Sequence, residues 1–171
     1  MSQSLSFAFG RHERLKSDVL ISRLYTEGKS ISKYPIRITY LVHPQDFYAD
    51  SSVKVSINAS KKALRLAVNR NRMKRLLREI FRHNKHPLIN FAKAHNCCVS
   101  MGIVYVGSQL NDYQTVERVF IKVMRLAMEA MDAGLTKQVS QEKDNLEESQ
   151  SFKEDDNTSI SNPNSSDRDN A

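Results

Sequence analysis

The spacing of apolar residues predicts one helix and two strands in the N-terminal part of the chain. Residues 11–27 show a helical period, and Gly28 follows as a residue that can end the helix. Residues 35–41 read as a strand in which Tyr40 faces the same way as the two isoleucines before it. Residues 53–58 alternate strictly between apolar and polar side chains, which predicts a second strand with one wet face.

A second helix is predicted after residue 68, where apolar residues recur at positions i, i+3, i+4, i+7 and i+8. Asn69 or Asn71 is its predicted N-cap, because a side-chain amide oxygen can accept a bond from a free N–H of the first turn. The predicted buried stripe consists of Met73, Leu76, Leu77, Ile80 and Phe81.

The third part of the pattern is a strand followed by a helix. Residues 97–106 form the most strand-like run of the chain, and a final helix is predicted from a cap at Asn111 or Asp112 to about Asp132. This order of elements is typical of an α+β fold, a small mixed sheet with helices on one side. The buried stripe of the final helix is predicted to contain Val116, Val119, Phe120, Val123, Leu126 and Ala127.

Positive charge is concentrated on the second helix and on the segment before it. Residues 61–85 contain ten Lys or Arg and one acid, Glu79. At about 100° per residue, Arg75, Arg78 and Arg82 project opposite the apolar stripe. Surface helices normally mix both signs of charge, so a binding surface for a polyanion explains this segment better than an ordinary solvated face.

The net charge of +7 conceals an asymmetry along the chain. Residues 136–171 carry four basic and nine acidic side chains, a net charge of −5, which leaves +12 on residues 1–135. A body this basic indicates a nucleic-acid partner. Few large apolar residues follow residue 135. We therefore divide the chain into a flexible N-terminus, 1–10, a basic domain, 11–135, and a disordered acidic tail, 136–171.

Composition also bears on compartment and chemistry. There is no run of about 18 apolar residues and no signal peptide, so we expect no membrane association. Cys97 and Cys98 are adjacent and suit a reducing, cytoplasmic setting. The acids of the basic domain are scattered singly, so a metal-dependent nuclease site is not expected. His83 and His86 are expected to contact the helix end or a phosphate rather than a metal.

The basic segment resembles the protein component of bacterial ribonuclease P. The resemblance lies in Ser60-Lys61-Lys62, in the block from Arg70-Asn71-Arg72 to Lys74-Arg75, and in Arg78-Glu79. Arg14-Leu15-Lys16-Ser17 and Gly28-Lys29-Ser30 support it upstream, so that it spans roughly residues 11–131.

The resemblance implies a fold of the ribosomal protein S5 domain 2 type, with a left-handed βαβ crossover. It also implies a protein subunit that binds ribonuclease P RNA and precursor tRNA and assists endonucleolytic removal of the 5′ leader. Catalysis would belong to the RNA, with Mg²⁺ bound mainly by that RNA. No catalytic side chain and no stable protein partner are expected.

The same resemblance implies the site residues. A leader-binding cleft between the first helix and the sheet would be lined by Ile21, Tyr25 and Tyr40. Ile21 stands where the family commonly has an aromatic residue, so leader binding is expected to be weaker or differently arranged. The family's glycine before the helix is missing, and that segment is one residue longer. The RNA contacts would be Lys61, Lys62, Arg65, Arg70, Asn71, Arg72, Lys74, Arg75, Arg78 and Arg82.

Two alternatives remain at this stage. A ribosomal protein or assembly factor could share a basic helix and a small sheet, and it would bind RNA without stimulating tRNA maturation. A DNA-binding module is a weaker alternative, since no helix-turn-helix spacing precedes residue 70.

Overall fold

The structure is a computed structural model that describes residues 8–154, with side chains described for residues 8–136. Two compact units divide the chain, Met1–Met131 and Asp132–Ala171. The first contains the sheet, and the last part of the final helix lies in the second. In order, the elements are α1 (Asp18–Glu27), β1 (Lys29–Lys33), β2 (Ile36–Pro44), a short 3₁₀ turn (Gln45–Phe47), β3 (Val53–Ala59), α2 (Ala67–Asn84), α3 (His86–Ala94), β4 (Cys97–Tyr105) and α4 (Tyr113–Glu154).

The four strands form one mixed sheet in the order β1-β2-β4-β3. β2 pairs antiparallel with both β1 and β4, whereas β3 and β4 are parallel. Parallel neighbours need a crossover connection, and here α2 and α3 supply it. The predicted α+β class with a small mixed sheet is therefore confirmed. The left-handedness of the crossover stays a prediction.

One face of the sheet is apolar and carries the core. Strand residues alternate between faces, and the register places the apolar side chains of β2, β3 and β4 side by side. α2 contacts β3 and buries the predicted stripe, except that Leu76 remains partly exposed. Each large side chain buried in this way stabilises the fold by about 1.5–3 kcal/mol. The apolar sheet residues include Ile36, Ile38, Tyr40, Val53, Val55, Val99, Met101, Ile103 and Tyr105.

The opposite face is polar, and α1 lies over it. Gly102 lies on this face, and a Cβ built there would stand 3.3 Å from Leu24 Cδ2 and 2.8 Å from the Tyr25 hydroxyl. The register pairs Gly102 with Thr39 and with Ser56. Helices thus lie on both sides of the sheet, so the predicted placement of helices on one side is wrong. The absence of a side chain at Gly102 lets α1 approach the polar face.

The prediction that the first helix begins at residue 11 is wrong. α1 begins at Asp18, after an N-cap at Ser17 whose hydroxyl accepts from the Leu20 N–H. The preceding residues pair instead with the outer edge of β3. Leu15 N donates to the Val55 carbonyl at 3.0 Å, and Val55 N donates to the Glu13 carbonyl at 2.7 Å. Those bonds satisfy backbone groups that a sheet edge would leave open.

Two other elements differ from the prediction. β1 was not predicted, because its sequence is polar and none of its residues is fully buried. α4 continues to Glu154 instead of ending near Asp132. No proline interrupts residues 132–154, and Glu, Gln, Lys and Leu favour helix there. α4 thus includes residues 136–154 of the predicted acidic tail, whose disorder stays a prediction, and residues 155–171 lie outside the described residues.

The buried stripe of α4 also departs from the prediction at one position. Leu126 is 40% exposed, whereas Met124 and Met131 are buried. The predicted positions Val116, Phe120, Val123 and Ala127 are fully buried, and Val119 is partly buried.

A buried ion pair joins the N-terminal segment to the junction between α2 and α3. Lys85 Nζ lies 2.5 Å from Glu13 Oε1, and the two residues are only 3% and 7% exposed. Lys85 also donates to the Ala8 carbonyl, and the Gly10 N–H donates to the other Glu13 oxygen at 2.9 Å. Lys85 is thus not part of the exposed basic surface, contrary to the reading of residues 61–85 as one polyanion-binding segment.

This arrangement bears on the predicted flexible N-terminus. Residues 8–10 are held in contact with the body, and the Phe9 ring packs edge-on against Phe81 with 5.3 Å between centroids. The remainder of that prediction, residues 1–7, lies outside the described residues.

The Glu13–Lys85 pair generates a stability prediction. Glu13→Gln should lower the free energy of unfolding by about 3–5 kcal/mol, because it leaves the Lys85 charge buried without a counter-charge. Urea unfolding would measure the change. The control is Glu27→Gln, which removes an exposed pair with Arg23 and should have little effect. Equal losses in the two variants would contradict a structural role for the buried pair.

Candidate nucleic-acid interface

Seven of the predicted RNA-contacting cations form one surface, which we call the cationic face. In the part of the chain that the structure describes, none of them forms an ion pair. Because the opposite side of α2 is anchored by Met73, Leu77, Ile80 and Phe81, the direction of the four charges that lie on this helix is fixed. Lys74 is half-buried and the others are exposed. The cationic face consists of Lys61, Lys62, Arg65, Arg72, Lys74, Arg75 and Arg78.

The entry into α2 differs from the predicted geometry. Leu66 is the N-cap, and no side chain caps the helix there, so the assignment of the cap to Asn69 or Asn71 is wrong. Leu64 is buried instead and anchors the turn that leads from Ser60 into the helix. Burial of Leu64 fixes the path of the chain into α2 by packing.

Arg70 serves this turn directly. Its Nη1 donates to the Leu64 carbonyl at 3.0 Å and to the Arg65 carbonyl at 2.6 Å. A guanidinium that binds two backbone carbonyls holds the turn in one conformation. The structure therefore gives Arg70 a structural contact that the sequence-based assignment to RNA did not include, while Asn71 is exposed beside it.

Arg82 is the second predicted RNA contact that bonds to another residue of this chain. Its Nε donates to Glu79 Oε2 at 3.1 Å, and its Nη2 bonds the other oxygen. His83 Nε2 also lies 2.9 Å from Glu79 Oε1. The hydrogen bond from Arg82 is the main cause that holds the pKa of Glu79 below its ordinary value, followed by the bond from His83. The only acid of the basic segment thus offsets the charge at the far end of α2.

The second candidate surface is the cleft between α1 and the polar sheet face. Tyr25 is 43% exposed, and its hydroxyl hydrogen-bonds with the Asn58 side chain across the cleft. Partial burial raises the pKa of Tyr25, and the bond with Asn58 lowers it in part. Ile21 is half-buried on the same helix, one turn earlier. An aromatic ring and amide groups beside one another suit a nucleobase, which offers a stacking face and hydrogen-bonding edges.

The structure does not bring Tyr40 into this cleft. Tyr40 is 3% exposed and pairs with Met101, so its side chain lies on the apolar face, whereas Tyr25 lies over Gly102 on the other. Burial raises the pKa of Tyr40, as expected for a core tyrosine. The assignment of Tyr40 to the cleft is therefore wrong in geometry, because adjacent strand residues point to opposite faces.

Sequence reasoning missed the strand residues that lie on this face beside α1. Thr39 and Ser56 lie on the polar face, and Asn58 Nδ2 donates to the Ser56 hydroxyl at 3.1 Å. A usable signal was present, because polar residues at alternate positions of β2 and β3 mark one face. What the sequence lacked was the knowledge that α1 covers that face.

Neither surface has the donor set of a metal centre. Among the described residues, no group of three or more His, Cys, Asp or Glu side chains is placed to hold a metal ion. Cys97 and Cys98 are buried free thiols, and the Cys98 thiol donates to the Gln45 carbonyl at 2.9 Å. The helices of the described region include none that is long and apolar enough to cross a membrane.

The chain is similar in sequence to known proteins. The chain is 36% identical over 128 residues to the ribonuclease P protein component of Porphyromonas gingivalis, covering 74% of this chain and 92% of that protein. It is 30% identical over 105 residues to the ribonuclease P protein component of Chlorobium phaeobacteroides, covering 58% of this chain and 72% of that protein.

The fold itself is shared with a solved structure. The ribonuclease P protein of Staphylococcus aureus superposes with a TM-score of 0.53 at 20% identity, covering 67% of this chain and 94% of that one. The family model described as Ribonuclease P matches residues 9–129, which include α1, the whole sheet and both surfaces. By sequence and by fold, the chain belongs to the ribonuclease P protein family.

Proposed function

We propose that this protein is the protein subunit of ribonuclease P, binding the catalytic RNA and the 5′ leader of precursor tRNA. The observation that carries the proposal is the cationic face, seven cations without ion pairs in the described region, in a chain of this family. In this role the protein contributes charge and position, and the RNA carries out hydrolysis of the phosphodiester bond.

The cationic face is assigned to the ribonuclease P RNA. Exposed Arg and Lys side chains neutralise RNA phosphates and release condensed counterions, which makes binding favourable and strongly dependent on salt. Four of the seven cations are arginines, whose planar guanidinium can bond two phosphate oxygens at once. Backbone contacts of this kind fix the orientation of the protein on RNA without reading sequence.

The cleft of Tyr25 and Asn58 is assigned to the single-stranded leader. A stacked base and backbone contacts tolerate many leader sequences, which suits a subunit that handles many precursors. Holding the leader orients the scissile bond relative to the reactive groups of the RNA and lowers the entropic part of the barrier. Ile21 offers apolar contact at the position where an aromatic residue would stack.

The remaining parts of the proposal concern Mg²⁺, partners and compartment. Mg²⁺ takes oxygen ligands, and the described residues offer no carboxylate cluster, so the proposal assigns it to the partner RNA. The proposed partners are ribonuclease P RNA and precursor tRNA, with no stable protein partner, in the cytoplasm.

A general RNA-binding protein is the second candidate, because the cationic face would serve any structured RNA. The deciding experiment is 5′-leader cleavage of a precursor tRNA at low Mg²⁺, with the cognate ribonuclease P RNA, in the presence and absence of the protein. Stimulation supports the proposal. Tight RNA binding without stimulation would support the second candidate, a general RNA-binding protein.

Arg72→Ala with Arg75→Ala tests the cationic face while sparing Arg70, which holds the turn. The double variant should keep its fold, lose stimulation at low Mg²⁺, and show a slope of log K against log salt reduced by about 2, one for each lost phosphate contact. Binding titrations at several salt concentrations measure the slope. The control is Arg118→Ala with Lys122→Ala on α4, two exposed cations outside the face. An equal effect of the control pair would show that only overall charge matters.

Tyr25→Ala tests the cleft. Loss of one stacked base should weaken binding of leader-containing precursor tRNA to the holoenzyme by about 5–150-fold, the equivalent of roughly 1–3 kcal/mol. Binding of mature tRNA without a leader should not change. The matched control is Tyr34→Ala, which removes a tyrosine that is 63% exposed near the turn between β1 and β2. If precursor and mature tRNA weaken together, Tyr25 does not contact the leader.

A further inference from the structure

Two exposed apolar side chains lie in the middle of the cationic face. Leu66 is 65% exposed and Val68 is 77% exposed. Val68 occupies the same side of α2 as Arg72 and Arg75, which follow it at i+4 and i+7. Arg65 directly precedes Leu66 and is also exposed. A cationic surface built only for solubility or for long-range attraction has no use for apolar groups at its centre.

Neither side chain serves the fold of the free protein. Leu66 is the N-cap of α2 but forms no capping bond, and leucine is among the poor residues at that position. α1 shows the usual solution, since the Ser17 hydroxyl accepts from the Leu20 N–H. A serine at position 66 would suit the free helix better. The exposed apolar side chains and the missing cap do not stabilise the isolated protein, so they indicate a role in a bound state.

The turn presents these side chains in a fixed position. Leu64, two residues earlier, is only 4% exposed and anchors the segment. Arg70 bonds the Leu64 and Arg65 carbonyls from the other side of the turn. Leu66 lies between these anchors, so little conformational freedom remains to be lost when a partner binds, which favours affinity.

We propose that Leu66 and Val68 form an apolar contact with the base and sugar of an unpaired nucleotide in the ribonuclease P RNA. The inference rests on the proposed function and adds to it a contact that does not depend on charge. Arg65 and Arg72 bind the phosphates on either side of that nucleotide. Unpaired nucleotides expose the apolar base faces that paired ones stack away, and proteins commonly recognise RNA at such positions.

Charge decides between RNA and a protein as the occupant. A protein covering Leu66 and Val68 would also have to cover Arg65 and Arg72, which have no acidic partner within the described residues. Covering charges without counter-charges is unfavourable. RNA offers regularly spaced phosphates with an apolar base face between them. One nucleotide and its neighbours can therefore contact both the arginines and the apolar side chains.

The test separates apolar from electrostatic binding. Leu66→Ser with Val68→Thr, in the full chain, should weaken binding of the cognate ribonuclease P RNA about tenfold, by loss of buried carbon surface. The slope of log K against log salt should not change, because no phosphate contact is lost. Arg72→Ala should instead lower the slope by about 1. Leu66→Ser alone should weaken RNA binding while leaving the melting temperature equal or higher, which loss of fold cannot produce.

Val19→Thr is a matched control. Val19 is the second residue of α1 as Val68 is of α2, and its exposure is 76% against 77%. The control should bind RNA like the wild type. Unchanged RNA affinity in the Leu66→Ser, Val68→Thr variant would overturn the inference, and so would a change in its salt slope. If the wild type binds the cognate RNA no better than an unrelated RNA of equal length, the proposed function itself is wrong. If the wild type binds specifically but the Leu66→Ser, Val68→Thr variant binds equally well, only the inference is wrong.

Discussion

Burial of one side of α2 is the constraint on which both the fold and the binding surface depend. Met73, Leu77, Ile80 and Phe81 are almost completely removed from solvent. With 3.6 residues per turn, fixing these four positions fixes the direction of every other side chain on the helix. The cations between them have to point away from the sheet. The hydrophobic contacts that stabilise the domain therefore also hold several positive charges close together. On a flexible chain, mutual repulsion would drive these charges apart.

Local periodicity was enough to predict the elements whose side chains alternate between core and solvent. β2, β3 and α2 were all visible in this way, because burial of one face leaves a period in the sequence. β4 is buried along almost its whole length and was predicted instead from its strand-favouring residues. The start of α1 was not visible. Residues 13–15 could have continued a helix, but they pair with the edge of β3, and that partner is distant in sequence. β1 was missed for the opposite reason, since it buries too little to leave any period.

The candidate site could be predicted in outline but not in the role of each residue. A basic segment near an apolar stripe identified the cationic face, yet the sequence could not distinguish a solvent-facing cation from one with a protein partner. Lys85 pairs with Glu13, Arg82 with Glu79, and Arg70 with backbone carbonyls. The Lys85 pair is a tertiary contact and the Arg70 bonds depend on the turn, whereas the Arg82 pair is local, at i and i+3 on α2. Tyr40 shows the same limit in the cleft, because a shift of one strand position moves a side chain from the binding surface to the core.

The position of β4 in the sheet has a consequence for biosynthesis. β4 is the last of the described strands to leave the ribosome, yet it lies between β2 and β3, which do not pair with each other. Until residues 97–105 have been translated, β2 has a partner on one edge only and β3 has none within the sheet. The nascent chain must therefore expose the basic helix α2 outside the ribosome before the sheet that anchors it can close, and a polyanion near the ribosome can meet these arginines before the domain is complete.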